Sequence, residues 1–440
     1  MPDHSPVKEI QTRLEFIKAL KEAKLEDGGL EPWVIERLRN PIQAPLQLDD
    51  RGLLFSMRLF FILERSSQET YQNVRELEQE FHDDFEVLSL DQVKRQIQSH
   101  SGVVPIKNDM CPNSCIAYTG PRYSKLETCP FCSESRYDLK ILAETNGRKK
   151  VARQKYYTIP LGPVLQCLFR TVQGCNDMEY FWKFMTKILS TVDHVNTTIN
   201  IETFEDSGSG SEFIEAVLKG IIKEDDILLM FSLDGAQFYK GKQSDCHIYI
   251  WVIFNLSPDL RYKKRYVIPG GIIPGPNNPK DTDSFLFPGL HHVSALHNEG
   301  GLKIWKATTK RVHTSDPTLA QLTADRVGMP DINGMAGHQA TYGCRVNCDV
   351  KGRHKEGANN YYPAHYKPDN YEVEGCNHPS VKLEEVSHVT IDDYNTNLKF
   401  VLQSQSKTQH AVRRQMTGIS GPSIFHGISA RHRLSIPGCF

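Results

Sequence analysis

Hydrophobic residues recur at helical spacing through the first hundred residues. The stretch from residue 7 to residue 24 has an apolar side chain every three or four positions, which predicts one amphipathic helix. Gly28 and Gly29 should end it, because glycine tolerates left-handed backbone angles. The apolar stripe of this helix comprises Val7, Ile10, Leu14, Ile17 and Leu20.

Proline and serine mark two further helix starts. Pro32 suits the first turn of a short helix that Pro41 ends, and Ser66 with Glu69 has the spacing of a capping box. We therefore predict a helical region over residues 1–100, with apolar faces that pack as ordinary core.

The pattern becomes strand-like beyond the flexible SGSGS loop at residues 207–211. Short apolar runs are separated by turn residues such as SPD and PGPNNP. The segment from Ser284 to Trp305 predicts a helix interrupted by Pro288 and Gly300. Three strands, a helix and a further strand predict an α/β core with a mixed sheet. The predicted strands are ILLMFSL running into Asp234, 246–254, 265–275 and 318–325.

Composition narrows the class of protein. At 440 residues and 39% hydrophobic content, the chain can bury one or two substantial cores, and we expect two or three domains. The formal net charge of −1 provides no overall field for nucleic acid, so DNA contacts must come from local basic clusters. No secretory leader and no apolar run of about 18 residues occurs, which favours an intracellular protein. Eleven cysteines in a reducing compartment favour metal binding over disulfides.

Four cysteines have the spacing of a zinc site. Cys111 and Cys115 are separated by three residues, Cys129 and Cys132 by two, and thirteen residues lie between the pairs. Two short cysteine turns joined by a hairpin can deliver four thiolates to one tetrahedral ion. Such a site has no open position for water, so we expect structural zinc in a small module that folds on it. Four unligated buried thiols are the alternative.

Cys344 and Cys348 form a second pair, in GCRVNCDVKGRHK. Their three-residue spacing suits a second metal ion, but it does not identify the other ligands. Packing cysteines near polar histidines are the alternative. Possible further ligands are His354, His365, Cys376 and His378.

Two aspartates follow predicted apolar strands: Asp234 follows LLMFSL and Asp325 follows TLAQLTA. A carboxylate at the end of a buried strand is exposed yet rigidly placed, and two of them on adjacent strands can share divalent metal ions. Strand-end aspartates also form ordinary turns. The pattern alone leaves both interpretations open.

Two basic segments are candidates for phosphate contact. Residues 148–155 are either a solvated linker or a phosphate-contacting strip. Residues 407–440 contain no acid, which favours either salt-dependent DNA binding or the start of a further domain. The basic residues are Arg148, Lys149, Lys150, Arg153 and Lys155 in the first segment and Lys407, Arg413, Arg414, Arg431 and Arg433 in the second.

Several motifs occur in series: CPNSC…CPFCSESRYD, SLDGAQFYKGKQSDC, IPGPNNPKDTDSFLFPGL, LTADRVGMPDINGMAGHQ and GCRVNCDVKGRHK. Together they resemble the CACTA-type, or En/Spm-like, transposases of plants and fungi, in the form common in mushroom genomes. The resemblance extends from about residue 100 to residue 440. Several motifs in the same order are more specific than any one of them.

The resemblance implies a ribonuclease H-like core that cuts DNA at transposon ends and joins it to a target with two Mg²⁺ or Mn²⁺ ions. Asp234 matches the first catalytic acid, on the first strand, and Asp325 matches the second, after the fourth strand. Cys344 and Cys348 match paired cysteines of an insertion between the second and third acids, which a later histidine completes. A nuclear protein, or one shared between nucleus and cytoplasm, that binds DNA and forms homo-oligomers is implied.

The third catalytic acid of the family is expected beyond SIFHGISARHRLSIPGCF, which ends at Phe440. The acids ahead of this segment are expected to be surface residues, so the resemblance implies a truncated and catalytically impaired transposase. These acids are Glu384, Glu385, Asp392 and Asp393.

Four other polar residues receive simpler interpretations. Asp283, in KDTDSFLF, is expected to cap a helix. His291, His292 and His297 share one predicted helix, but the spacing of six between His291 and His297 does not place them on a common face as a metalloenzyme pair would be. We expect them to be surface histidines.

The sequence supports two functional hypotheses. The chain is either a transposase or a non-catalytic zinc-dependent module that binds nucleic acid or protein. The predicted parts are 1–100, a helical N-terminal region; 101–145, the four-cysteine zinc-binding module; 146–212, a basic linker and helical connection; 213–340, a partial ribonuclease H-like core; and 341–440, the insertion that contains cysteine and histidine, with the start of a C-terminal part.

Overall fold

Helices and strands alternate along the chain. The computed structural model describes residues 1–2, 4–82, 85–193, 198–199, 201, 203–237, 245–325, 327–344, 348–362, 366–367, 369–370, 372, 380–382, 384, 386 and 389–434. The strands are β1 (Ile106–Met110), β2 (Gln154–Thr158), β3 (Val192–Asp193), β4 (Thr198–Ile199), β5 (Ile227–Gln237), β6 (Asp245–Ile253), β7 (Ile268–Ile273), β8 (Leu302–Lys306), β9 (Arg311–Ser315) and β10 (Pro317–Ala324).

The helices are α1 (Lys8–Lys21), α2 (Pro32–Arg39), α3 (Arg51–Ile62), α4 (Gln68–Phe81), α5 (Leu90–Ser101), α6 (Gly120–Tyr123), α7 (Leu139–Glu144), α8 (Leu161–Leu168), α9 (Val172–Asp177), α10 (Tyr180–Leu189), α11 (Ser211–Leu218), α12 (Pro258–Arg261), α13 (Asp283–Asn298), α14 (Met329–Asn333), α15 (Ile391–Leu402) and α16 (Lys407–Thr417). Short 3₁₀ turns occur at Leu25–Gly28, Ser207–Ser209, Ile424–Gly427 and Ala430–His432.

A six-stranded mixed sheet organises the fold, in the order β1-β2-β7-β6-β5-β10. Its neighbouring strands are antiparallel, except that β5 and β10 run parallel. A parallel pair needs a crossover connection, and the segment between β7 and β10 supplies it with α13. β3 with β4, and β8 with β9, form separate two-stranded pairs. The fold is therefore mixed α/β, as the sequence predicts.

Every strand predicted beyond residue 212 is confirmed, but the predicted helix after them is too long. α13 ends at Asn298, and Trp305 lies in β8 instead. Pro288 lies inside α13 without interrupting it. Proline cannot donate to the carbonyl oxygen four residues earlier, that of Ser284, and the hydroxyl of Thr119 donates to this oxygen instead.

Two predicted helix boundaries are wrong by a few residues. α1 ends at Lys21, and Gly29 follows the 3₁₀ turn Leu25–Gly28 in a left-handed conformation, with φ of 74°. The side chain of Ser67, not Ser66, caps α4 by accepting from the backbone N–H of Thr70. Pro32 opens α2 as predicted.

The helices of the first hundred residues divide between two hydrophobic clusters. The apolar side chains of α1 and α2 belong to the main core, together with those of the sheet and α13. α3, α4 and α5 surround a separate small cluster that includes Met57, Tyr71 and Val93. α1 is therefore part of the central body, and the stripe that predicted it is a core face.

The sheet extends beyond the segment predicted to contain it, 213–340. β1 lies within 101–145, and β2 lies within 146–212. Both strands pair antiparallel and reach the rest of the sheet through β7. The predicted zinc module and basic linker therefore contribute strands to the central sheet.

Tyr249 of β6 packs one face of the sheet against α13. Its ring lies where side chains of Gly270, Gly271 and Gly289 would project, and it is 1% exposed. Phe231 of β5 stacks against the same ring. Glycine is needed at these positions because the aromatic side chain occupies the space that a Cβ atom would take.

The segment that contains Arg433 covers part of the outer edge of β10. Arg433 bridges Leu319 in parallel, and the backbone N–H of Leu434 donates to the carbonyl oxygen of Leu319 (3.0 Å). His432 stacks on His297 of α13, with ring centroids 4.0 Å apart. Burial lowers the pKa of both imidazoles, and two charged rings at this separation would repel each other.

We expect Gly271→Ala to destabilise the protein by about 1–3 kcal/mol, because overpacking a core typically costs that much. The added Cβ would overlap the ring of Tyr249. Urea unfolding compared with Gly337→Ala provides the measurement, since a Cβ at Gly337 meets no atom within 4 Å. Equal midpoints for the two variants would contradict this account of the α13–sheet contact.

Acid should weaken the docking of His432 on His297. Burial lowers the pKa of His297 from 6.5 to about 3, with a further contribution from His432. Between these two pH values the unfolded chain binds a proton that the folded chain does not, so stability falls as the pH falls below about 6.5. At pH 5 we expect the titration of His297 to have lowered the free energy of unfolding by about 2 kcal/mol relative to neutral pH. Urea unfolding at the two pH values provides the measurement. His297→Gln should lose only this share of the acid dependence, because the buried His292 keeps its own lowered pKa, and His354→Gln, on an exposed histidine, should keep the full dependence.

Candidate functional site

Two hairpin turns of the same design present the four cysteines. We call residues 110–117 the first knuckle and residues 128–135 the second. In each, the backbone N–H of the first cysteine donates to a carbonyl oxygen five residues on: Cys111 to Ile116 and Cys129 to Glu134, both at 2.9 Å. A serine with positive φ turns each chain, Ser114 at 59° and Ser133 at 62°.

The four sulfur atoms meet at one point. All lie within 4.8 Å of one another, and those of Cys111 and Cys132 are 3.4 Å apart. Tetrahedral zinc with Zn–S bonds of about 2.3 Å requires sulfur–sulfur separations of about 3.8 Å. The four cysteines are free thiols, and Cys132 is less buried than the others. The donor set fits a structural zinc ion.

Burial makes the cluster unfavourable without a cation. It raises the pKa of Cys111 to about 12 and raises that of Cys115 also. At Cys132 burial acts in the same direction, but hydrogen bonds led by that from the Glu134 backbone lower the pKa to about 7. Four thiolates can share this volume only if a metal ion neutralises them.

The four-cysteine cluster is hydrogen-bonded to the main body. Ser114 Oγ donates to the carbonyl oxygen of Pro274 (2.8 Å), and the backbone N–H of Lys280 donates to that of Cys115 (2.8 Å). The backbone N–H of Ala117 donates to Ser284 Oγ in α13 (3.0 Å). The first knuckle therefore connects the end of β1 to the start of α13.

The two predicted catalytic aspartates lie beside each other. β5 and β10 pair in parallel, with Leu233 opposite Ala324 as the last pair. Asp234 and Asp325 directly follow this last pair, and neighbouring strand backbones are about 4.8 Å apart. Both are exposed. Distant parts of the sequence thus bring two carboxylates to one place on the sheet.

Asp325 also has the structural role of a turn former. Its Oδ1 accepts from the backbone N–H groups of Val327 (3.1 Å) and Gly328 (2.6 Å), ahead of α14. Asp234 Oδ1 accepts from its neighbour Gly235 (2.8 Å). Among the residues that the structure describes, no third His, Cys, Asp or Glu joins them as a metal-binding group.

The second cysteine pair is brought together, but its further ligands are not identified. A hydrogen bond joins the thiols of Cys344 and Cys348, and this bond, with burial, raises the pKa of Cys348. His354 Nδ1 instead lies 2.9 Å from the carbonyl oxygen of Lys355. His365, Cys376 and His378 lie outside the described residues, as does Glu385. A second metal site remains a prediction.

The basic stretch 148–155 is partly neutralised by the second knuckle and its flanks. Lys150 pairs with Glu127, and Arg153 pairs with Glu134 (2.5 Å). Lys155 lies in β2 and is exposed. This stretch therefore leads into a strand of the sheet and is not simply a linker.

Four polar residues have other roles than the sequence predicts. Asp283 does not cap α13 but is buried in its first turn, 3.7 Å from Arg13, and burial raises its pKa to about 7. His291, His292 and His297 are buried and not on the surface. His292 Nε2 accepts from the backbone N–H of Gly162 (2.9 Å). They are core histidines with pKa values lowered by burial.

β1 and β2 are not among the strands that the sequence predicts, and neither Lys107 nor Tyr157 is among the predicted site residues. Lys107 and Tyr157 are an exposed cross-strand pair at the sheet edge. The alternation of QKYYT was a usable signal, but its basic context indicated a loop.

Comparison with known proteins adds no relative: no protein-family model matches the chain, and no curated protein matches it significantly. In the part of the chain that the structure describes, none of the helices has the length and apolar character to cross a membrane.

We expect the purified protein to contain one zinc ion per chain and Cys129→Ser to lose it, because three thiolates no longer close the tetrahedron. The variant should also unfold at lower temperature, since metal binding contributes to folding free energy. Metal analysis and thermal unfolding provide the measurements. Cys175→Ser is the matched control, a buried cysteine outside the cluster. Zinc retained at full occupancy in Cys129→Ser would exclude the four-cysteine site.

Proposed function

We propose that the chain is a transposase-like nuclease of the ribonuclease H-like class, with low catalytic activity. The observation that carries the proposal is the parallel pairing that places Asp234 beside Asp325. Two carboxylates on adjacent strands can hold a divalent metal ion for phosphoryl transfer. The family resemblance of the surrounding motifs, SLDGAQ and LTADRVGM, supports the same assignment.

The strand order supports the fold part of the proposal. β5, β6 and β7 are consecutive antiparallel strands, α13 follows, and β10 returns parallel beside β5. This is the order expected of a ribonuclease H-like core whose first acid lies on its first strand and whose second follows its fourth.

Asp234 and Asp325 would hold Mg²⁺ or Mn²⁺, which binds through one or two carboxylates together with substrate phosphates. Bound there, the metal would activate the attacking oxygen and stabilise the leaving oxygen when a DNA phosphodiester is cut. The two side chains fit this role because they are exposed on a rigid sheet. Partners would be transposon-end and target DNA, further copies of the chain are expected in the assembly, and a nuclear location follows from that substrate.

A second candidate is a non-catalytic, zinc-dependent module that binds nucleic acid. The use of Asp325 Oδ1 as a turn acceptor favours it, because a carboxylate oxygen already bonded to two N–H groups is a poorer metal ligand. The absence of a third acid beside the pair, among the described residues, favours it also.

A nicking assay on supercoiled DNA separates the two candidates. We expect slow, Mg²⁺- or Mn²⁺-dependent nicking that Asp234→Asn and Asp325→Asn each reduce by at least about 100-fold, since even outer-shell partners of a metal can cost that factor. Asp392→Asn, on the exposed start of α15, should nick at the unchanged rate. If the protein binds DNA but does not cut it with either metal, the nuclease proposal is wrong and the second candidate is supported.

A further inference from the structure

A row of paired residues crosses five strands of the sheet and ends beside the residue that follows the sixth. Lys107 of β1 pairs with Tyr157 of β2, which pairs with Ile272 of β7. Ile272 pairs with Ile248 of β6, and Ile248 pairs with Asp234 of β5. Directly paired residues share one face of a sheet. The cross-sheet row is therefore Lys107, Tyr157, Ile272, Ile248, Asp234 and, next to it, Asp325.

The row is accessible, in contrast to the other face. Tyr157 is 46% exposed and Ile272 is 48% exposed, whereas the neighbours of Tyr157 in β2, Tyr156 and Thr158, are fully buried. Apolar and aromatic side chains in the centre of a sheet are normally covered. Tyr157 and Ile272 are direct cross-strand partners, so their exposed side chains lie side by side and can be contacted together.

The chemistry changes along the row. At one end the ammonium group of Lys107 lies over the ring of Tyr157, 6.0 Å from its centre. At the other end are the two carboxylates. Such a pair suits a nucleotide, because the flexible lysine side chain can give up its place over the ring to a base and contact the phosphate instead.

The dimensions fit an extended strand. Six strands span five spacings of about 4.8 Å, or about 24 Å from Lys107 to Asp325. This is long enough for several nucleotides of unpaired nucleic acid. Lys155, two residues from Tyr157 on the exposed side of β2, adds a cation at the same end.

We propose that the cross-sheet row is the binding path of an unpaired DNA strand, with a base stacked on Tyr157 and the backbone directed toward Asp234 and Asp325. The direction of the DNA backbone toward Asp234 and Asp325 rests on the proposed nuclease function, but binding of DNA to the row does not. Tyr157, Lys107 and Ile272 are then positioning residues for the substrate. A base within a duplex cannot reach the ring, so the path selects unpaired DNA.

Fluorescence anisotropy with a labelled oligo(dT) of about 15 nucleotides tests the path, in Mg²⁺-free buffer so that binding is measured without cutting. Tyr157→Ala should weaken binding about tenfold, within the range known for the loss of one stacked base. Lys107→Glu should weaken it and reduce its salt dependence. Binding of a duplex of the same length should change less with Tyr157→Ala.

Matched controls are Tyr262→Ala, on a tyrosine with 59% exposure away from the row, and Lys303→Glu, on an exposed lysine of β8. Both should bind oligo(dT) as the unchanged protein does. Thermal unfolding shows whether Tyr157→Ala is folded. If it is not, two other variants test the path. Tyr157→Phe keeps the stacking ring and should retain full affinity, whereas Ile272→Glu should lose affinity for oligo(dT).

Photocrosslinking with 5-iododeoxyuridine in the oligonucleotide provides a direct readout. The expected product is a crosslinked peptide that contains Tyr157. Crosslinks confined to other peptides, or equal affinities for Tyr157→Ala and Tyr262→Ala, would overturn the proposal. The cross-sheet row would then be a candidate contact surface for a protein instead. Because nicking is measured separately, loss of the nuclease proposal would not affect this outcome, and the reverse also holds.

Discussion

The backbone pairing of β5 with both of its neighbours is the constraint on which the rest of the structure depends. Antiparallel pairing with β6 places Asp234 opposite Ile248, and parallel pairing with β10 brings Asp325 beside it. A shift of one residue in either register would move these side chains to the opposite face of the sheet. The carboxylate pair and the exposed row therefore exist only in this register.

The four-cysteine site stabilises the distant edge of the same sheet. β1 is a short edge strand, and short edge strands have few hydrogen bonds of their own. The first knuckle follows β1 directly and is hydrogen-bonded to the residues that lead into α13. A zinc ion held there would fix β1 to the helix that covers the sheet. The metal would thus support the binding surface without touching a substrate.

The errors of sequence analysis have a common physical origin. β1 and β2 were missed because polar residues on an exposed sheet face resemble a loop. The histidines of α13 were expected at the surface because imidazole is polar, yet His292 and His297 are buried where backbone groups satisfy one ring nitrogen each. Asp283 was expected to cap α13 but lies beside Arg13 in the interior. These three errors, unlike the shifted helix boundaries, concern contacts with residues far away in the sequence.

The sequence by itself determined the strongly periodic elements: α1, the three central strands, β10 and the set of four cysteines. These depend on local spacing, because a strand or a helix face repeats every two or about 3.6 residues. Tertiary structure alone decided which strands are neighbours, which face stays exposed and where the knuckles attach. Cross-strand pairing joins Lys107 to Asp234 through one residue in each of three intervening strands, which no local pattern connects. That is why the carboxylates could be predicted from sequence and the exposed row beside them could not.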